Sequence, residues 1–103
     1  MTEITFDQAV EMILEKVSPG DLLCQLAEEA SELAQAALKL RRAIEPGNPT
    51  PITKEEAEGA LLEEFADVIL SCQLLGLTEQ VETVEFIHIN KMERWIDRLQ
   101  NGC

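Results

Sequence analysis

The sequence predicts an all-α protein, and three observations carry that prediction. Ala, Leu, Glu, Lys and Gln, all strong helix formers, dominate the 103 residues. No stretch sustains the polar/apolar alternation of a half-buried strand. There is no Tyr, and only 3 Phe and 1 Trp, so the aromatic residues that favour strands are scarce.

The elements follow in order. Helix one runs from about Phe6 to Lys16 and is ended by the Ser18-Pro19-Gly20 breaker, with Asp21 placed to cap helix two. Helix two extends to about Arg42 and carries an apolar stripe of Leu22, Leu26, Ala30, Leu33 and Ala37 at one-face spacing. Pro46-Gly47-Asn48-Pro49-Thr50-Pro51 reads as a loop that reverses the chain within one domain, because neither half alone has a core. Thr53-Lys54-Glu55-Glu56 reads as a capping box opening helix three, which continues to Leu75 and stops at Gly76. Thr78 is placed to cap helix four, which reaches about Leu99 with its own stripe of Val81, Val84, Met92, Trp95 and Leu99. There is no internal repeat. One domain spanning residues 1–103, an antiparallel four-helix bundle, is the simplest assembly.

Composition excludes several roles. With 20 acidic and 8 basic residues the net charge is -12, which repels a nucleic-acid backbone and an anionic membrane surface. Neither polymeric nucleic acid nor a membrane is an expected partner. Met1 to Asp7 has no basic, apolar leader, and no apolar run reaches the ~18 residues of a span, which predicts a soluble, cytoplasmic protein. Cys24, Cys72 and Cys103 are an odd number without metal-ligand spacing, and two lie in apolar helical patterns, as reduced core thiols do.

The acidic residues are less simply explained. On helix two, Glu28, Glu29 and Glu32 border the apolar stripe, with Glu29 and Glu32 one turn apart. Taken alone, this cluster reads more readily as a solvated acidic face than as a site. Helix three shifts the balance, because Leu61, Leu62, Phe65, Val68, Ile69, Leu70, Cys72, Leu74 and Leu75 make it apolar on nearly every side, as buried helices are. Its polar interruption is the narrow strip Glu63, Glu64, Asp67 and Ser71. Carboxylates on a buried helix are costly unless cations or strong donors compensate them, and no Lys or Arg lies between Lys54 and Lys91.

Two Glu-x-x-acid pairs on neighbouring helices can direct four carboxylates into a shared cleft. Hard oxygen ligands of this kind suit Mg²⁺ or Mn²⁺, and Mg²⁺ usually completes its shell with water and substrate phosphate. A di-iron bundle is the alternative, and Glu85-Phe86-Ile87-His88 supplies one Glu-x-x-His motif. Such a site needs two, and His88 is the single histidine. Lys91, Arg94 and Arg98 cluster at the edge of the stripe on helix four, where they can meet phosphate or pair with acids of a neighbouring helix. His88 and Trp95 read first as core or interface residues.

The segments Glu28-Glu29-Ala30-Ser31-Glu32-Leu33, Glu63-Glu64-Phe65-Ala66-Asp67-Val68-Ile69-Leu70 and Lys91-Met92-Glu93-Arg94 together resemble the MazG-like all-α nucleotide pyrophosphohydrolases. The resemblance runs from about Asp21 to Leu99. It implies a MazG-like helical bundle that forms a homodimer or dimer of dimers through helix faces. The implied activity is Mg²⁺-dependent hydrolysis of a nucleoside triphosphate to monophosphate and pyrophosphate. By position, Glu29, Glu32, Glu64 and Asp67 would hold Mg²⁺, with Mn²⁺ an alternative, and Lys91 and Arg94 would meet the substrate phosphates. The stretch between Glu32 and Glu64 is long for compact members, and Ile89 stands where an Asn often precedes the lysine by two places. The phosphoribosyl-ATP pyrophosphohydrolases share the acidic helices, but their Ser-Tyr-Thr and Tyr-His segments are missing here; dUTPase and dCTPase activities remain open.

For the reaction itself, Glu28, or else Glu63, is placed to accept the proton of the attacking water, since neighbouring anions make a carboxylate a better base. The rival reading is a non-catalytic acidic helical adaptor that binds a basic partner.

Overall fold

In a computed structural model of the chain, residues 3–45 and 51–102 are described. They form α1 (Phe6–Lys16), α2 (Pro19–Ile44), α3 (Lys54–Leu74), a short 3-10 turn at Leu77–Glu79, and α4 (Val81–Asn101). The fold is all-α, with no strand among the described residues. None of its helices is long and apolar enough to cross a membrane. Most of the expected Pro-rich loop, residues 46–50, lies outside the described residues, as does Cys103.

Local chemistry sets most of the boundaries. Thr5 and Gln8 form a capping box at α1, the Gln8 N–H donating to Thr5 Oγ1 at 3.1 Å and the Thr5 N–H to Gln8 Oε1 at 2.9 Å. At α3 the expected box is present, with the Glu56 N–H donating to Thr53 Oγ1 at 3.1 Å and the Thr53 N–H to Glu56 Oε1 at 3.3 Å. Gly76 follows in the left-handed region at φ 75°, where a residue without a Cβ ends a helix at least cost. Removing the hydroxyl with Thr53→Ala is expected to cost about 1 kcal/mol and lower the melting temperature by roughly 5 °C, read by thermal denaturation.

Two caps differ from expectation. Ser18, not Asp21, caps α2: its Oγ accepts from the Asp21 N–H at 3.1 Å. Pro19 starts the helix because it has no N–H to leave unpaired there and its φ is already helical. Asp21 instead sits in the first turn, where its charge opposes the positive end of the helix dipole. Thr78 does not cap α4 either. It lies inside the 3-10 turn, and α4 begins at Val81 without a side-chain cap.

The extended helix contact is between α2 and α3. Leu22, Leu26, Glu29, Leu33, Ala36 and Leu40 of α2, with Ala57, Leu61, Glu64, Val68, Ser71 and Leu75 of α3, are buried or half-buried. Both sets advance by alternating steps of three and four, the spacing of a coiled-coil seam. The pair is antiparallel: Leu22 and Gln25 share a cleft with Ser71 and Leu74, while Glu29 meets Asp67. This seam corrects the expected stripe on helix two. Ala30 and Ala37 are exposed, and Glu29 and Ala36 take the inward places.

A four-helix bundle is not closed within one chain. α4 buries none of its residues, and α3 is not covered on all sides, with Leu62 67% and Phe65 51% exposed. Cys24 is exposed and Cys72 half-buried, so neither is the fully enclosed core thiol expected. The chain exposes 8314 Å². A compact monomer of its 11.5 kDa mass would expose roughly 5,800 Å².

Candidate functional site

Glu29 on α2 and Glu64 on α3 place acids at seam positions where a coiled coil ordinarily holds leucine, and the exposed Asp67 stands beside them, one turn from Glu64. One carboxylate oxygen from each of Glu29, Glu64 and Asp67 lies within 4.8 Å of the others. Gln25, one turn before Glu29, orients it by donating from Nε2 to Oε1 at 2.8 Å. Glu29 Oε2 and Glu64 Oε2 are shut off from water and accept no hydrogen bond. Buried acceptors are almost always paired, so two orphan oxygens in one cluster leave room for a compensating group, either a retained proton or a cation.

Electrostatics agree with the geometry. Burial raises the Glu29 carboxyl above the ordinary 4.5, and repulsion from Glu32 and Asp67 adds to it, against the opposing hydrogen bond from Gln25. Burial likewise raises Glu64, followed by a hydrogen bond shared with Glu32 and repulsion from Glu32, Asp67 and Glu29. Glu32, itself exposed, therefore stands beside Glu64 at the edge of the cluster. No cation contributes to either shift. The ion pairs among the described residues, Arg41 with Glu45 and Lys54 with Glu58, are exposed and lie elsewhere. Among the described residues, no basic group satisfies the strip.

These shifts have a sign. An acid whose folded value lies above its unfolded one holds a proton that the unfolded chain has lost, so stability falls as pH rises. In chelator, the melting temperature is expected to fall as pH rises from about 4.5 through the raised values of Glu29 and Glu64. Calorimetric scans across that window check this, and a melting temperature rising there would contradict it.

The other residues singled out by the sequence lie apart. Glu28 is exposed on the outer flank of α2, near Ser31, Glu32 and Gln35. Glu63 is exposed on α3. Lys91 and Arg94 share an exposed surface of α4 with His88, Trp95 and Arg98. His88 and Trp95 are accordingly not core within one chain. Glu85 and His88, the half-motif for di-iron, are exposed on α4 and stand outside the acidic cluster.

A cleft of about 270 Å³ opens beside the carboxylates, with Glu29 and Asp67 among its lining residues. Ile13 of α1 and Val17, which caps its C-terminus, form one wall, Leu70 and Leu74 of α3 another, and Asp21, Gln25 and Ser71 supply polar groups. Sequence spacing did not single out Gln25. Its signal was its place one turn before Glu29, within hydrogen-bond reach along the helix.

The cluster could hold a hard divalent cation: it offers only oxygens, two of them are unpaired, and no lysine or arginine pairs with it among the described residues. No protein-family model matches the chain, and no curated protein or solved structure matches it either.

Proposed function

We propose that the protein is a MazG-like, Mg²⁺-dependent nucleoside triphosphate pyrophosphohydrolase. The observation that carries this reading is the convergence of Glu29, Glu64 and Asp67 across the α2/α3 seam, with two oxygens orphaned. Glu29, Glu32, Glu64 and Asp67 would hold Mg²⁺ or Mn²⁺, which when bound supplies charge neutralisation for a polyphosphate and polarises its phosphorus.

The chain's own residues then position and move a proton. Gln25 fixes Glu29 in its rotamer, so the ligand oxygens are set before substrate arrives. Glu28, on the flank beside Glu32, is the base for the attacking water. Lys91 and Arg94 are uncommitted to ion pairs with the described acids and serve the transferred phosphates as donors. A homodimer, or a dimer of dimers, covers the apolar flanks of α3 and α4 and completes the bundle that one chain leaves open.

The test is Mg²⁺-dependent release of pyrophosphate from a panel of nucleoside triphosphates. Release that chelator abolishes is the expected result, and a protein inert towards the whole panel would favour the acidic adaptor instead. Lys91→Ala and Arg94→Ala are expected to raise KM by roughly tenfold each, with Mg²⁺ affinity little changed, because their cations face phosphate and the metal is held by carboxylates. Wild-type kinetics in both variants would remove these residues from the substrate site.

A further inference from the structure

The α2/α3 pair has two unlike sides. In an antiparallel pair, positions rotated in the same sense from the seam fall on the same side, because reversing one helix also reverses the direction in which its residues wind. On one side stand Gln25, Glu32, Asp67 and Leu74, together with the cleft that α1 helps to wall. The opposite side takes α2 from Leu23 to Leu38 and α3 from Leu62 to Gln73. It carries no charged residue, in a chain whose net charge is -12.

The antiparallel register gives that side its relief. Glu29 meets Asp67, and Leu22 shares a cleft with Ser71 and Leu74, which sets Ala27 level with Ile69, Ala30 with Phe65, and Ala34 with Leu62. α3 thus raises a ridge of large apolar side chains beside a shallow groove of alanines on α2, and all six residues are exposed.

Area and charge select the occupant. The chain exposes roughly 2,500 Å² more than a compact monomer of its mass, about three times the ~800 Å² that each partner gives to a stable interface. Two copies that each carry -12 repel one another wherever their acids face, so an uncharged side is where a second copy approaches at least electrostatic cost. Stacking two such sides about a two-fold axis across the helices lays α3 on α3, ridge against ridge. With the axis parallel to the helices, each α3 lies on the α2 of the second copy at the same level, ridge into groove, and all neighbouring helices are antiparallel.

We infer that the uncharged side of the α2/α3 pair is a two-fold interface with a second copy of this chain, in which Leu62, Phe65 and Ile69 of one copy seat on Ala34, Ala30 and Ala27 of the other. The acidic cluster then lies on the outer side of each pair, so every copy keeps its own cluster and cleft. The inference does not rest on the pyrophosphohydrolase reading; it fixes which faces meet.

Light scattering at micromolar concentration tests it with two single variants and their mixture. Ala30→Lys and Phe65→Glu each change a residue exposed in the single chain, so an isolated chain tolerates either, while in the interface each buries an unpaired charge. Each alone is expected to weaken the dimer by more than roughly a hundredfold and to scatter as a monomer. Mixed, the two are expected to form a heterodimer. One half of its interface keeps the native alanine and phenylalanine, and the other pairs the new ammonium with the new carboxylate. Variants that fold only on mixing support the interface equally. Ala30→Lys as dimeric as the wild type, a mixture without heterodimer, or a monomeric wild type that leaves the face to another protein overturns it.

Discussion

Glu64→Gln combined with Asp67→Asn is expected to abolish pyrophosphate release while raising the melting temperature in chelator by roughly 3–8 °C. Both replacements are nearly isosteric, so packing is conserved and only charge is lost. Without metal, Glu29, Glu64 and Asp67 repel one another and two of their oxygens lack donors. Removing two of those charges relieves the repulsion, and the new amides can donate to the carboxylates that remain. With metal the order reverses. A cation that binds only the folded chain stabilises it by about 2.7 kcal/mol at a hundredfold excess over Kd, on the order of 10 °C here. Wild type should show that gain with Mg²⁺ or Mn²⁺, and the double variant should not. A variant less stable in chelator, together with no metal response in either protein, would contradict the metal site. The carboxylates would then be making structural bonds to basic groups.

Light scattering of the wild type at micromolar concentration is expected to give at least a dimer. Leu62, Phe65 and Ile69 lie on one face of α3 at steps of three and four, and all three are exposed in the single chain. α4 adds Phe86, 68% exposed, and Trp95, 63% exposed. Apolar exposure on this scale ordinarily marks an interface. Leu62→Lys with Phe65→Glu places charge on the α3 face. The double variant should sediment as a monomer, with a melting temperature lower by more than 10 °C, because the covering helices of the second copy are lost. A wild-type chain that stays a stable monomer would remove both the assembly and much of the support for the MazG-like reading.

Sequence by itself determined what depends on neighbours within a turn or two. The helical class, the Thr53 capping box and the stop at Gly76 follow from propensity, side-chain reach and the one residue that tolerates positive φ. The one-turn spacing of Glu29 with Glu32, and of Glu64 with Asp67, is local in the same sense. Local rules also have near-ties. Ser18 and Asp21 both qualify as caps, and the pyrrolidine of Pro19 decided for Ser18.

Only the tertiary structure decided helix phase. Along α2, a stripe through Ala30 and Ala37 and one through Glu29 and Ala36 differ by a single residue, and composition favours the former because alanine is apolar. The antiparallel contact with α3 selects the 3.5-residue repeat and turns Glu29 inward to meet Glu64 and Asp67. Depth of burial, the two orphan oxygens, the raised Glu29 and Glu64 carboxyls and the cleft at Gln25 all follow from that rotation. The same limit applies to α4. Its amphipathic pattern requires a partner for Trp95 and Met92, and periodicity does not state whether that partner belongs to the same chain, since a hydrophobic stripe has direction and area but no address.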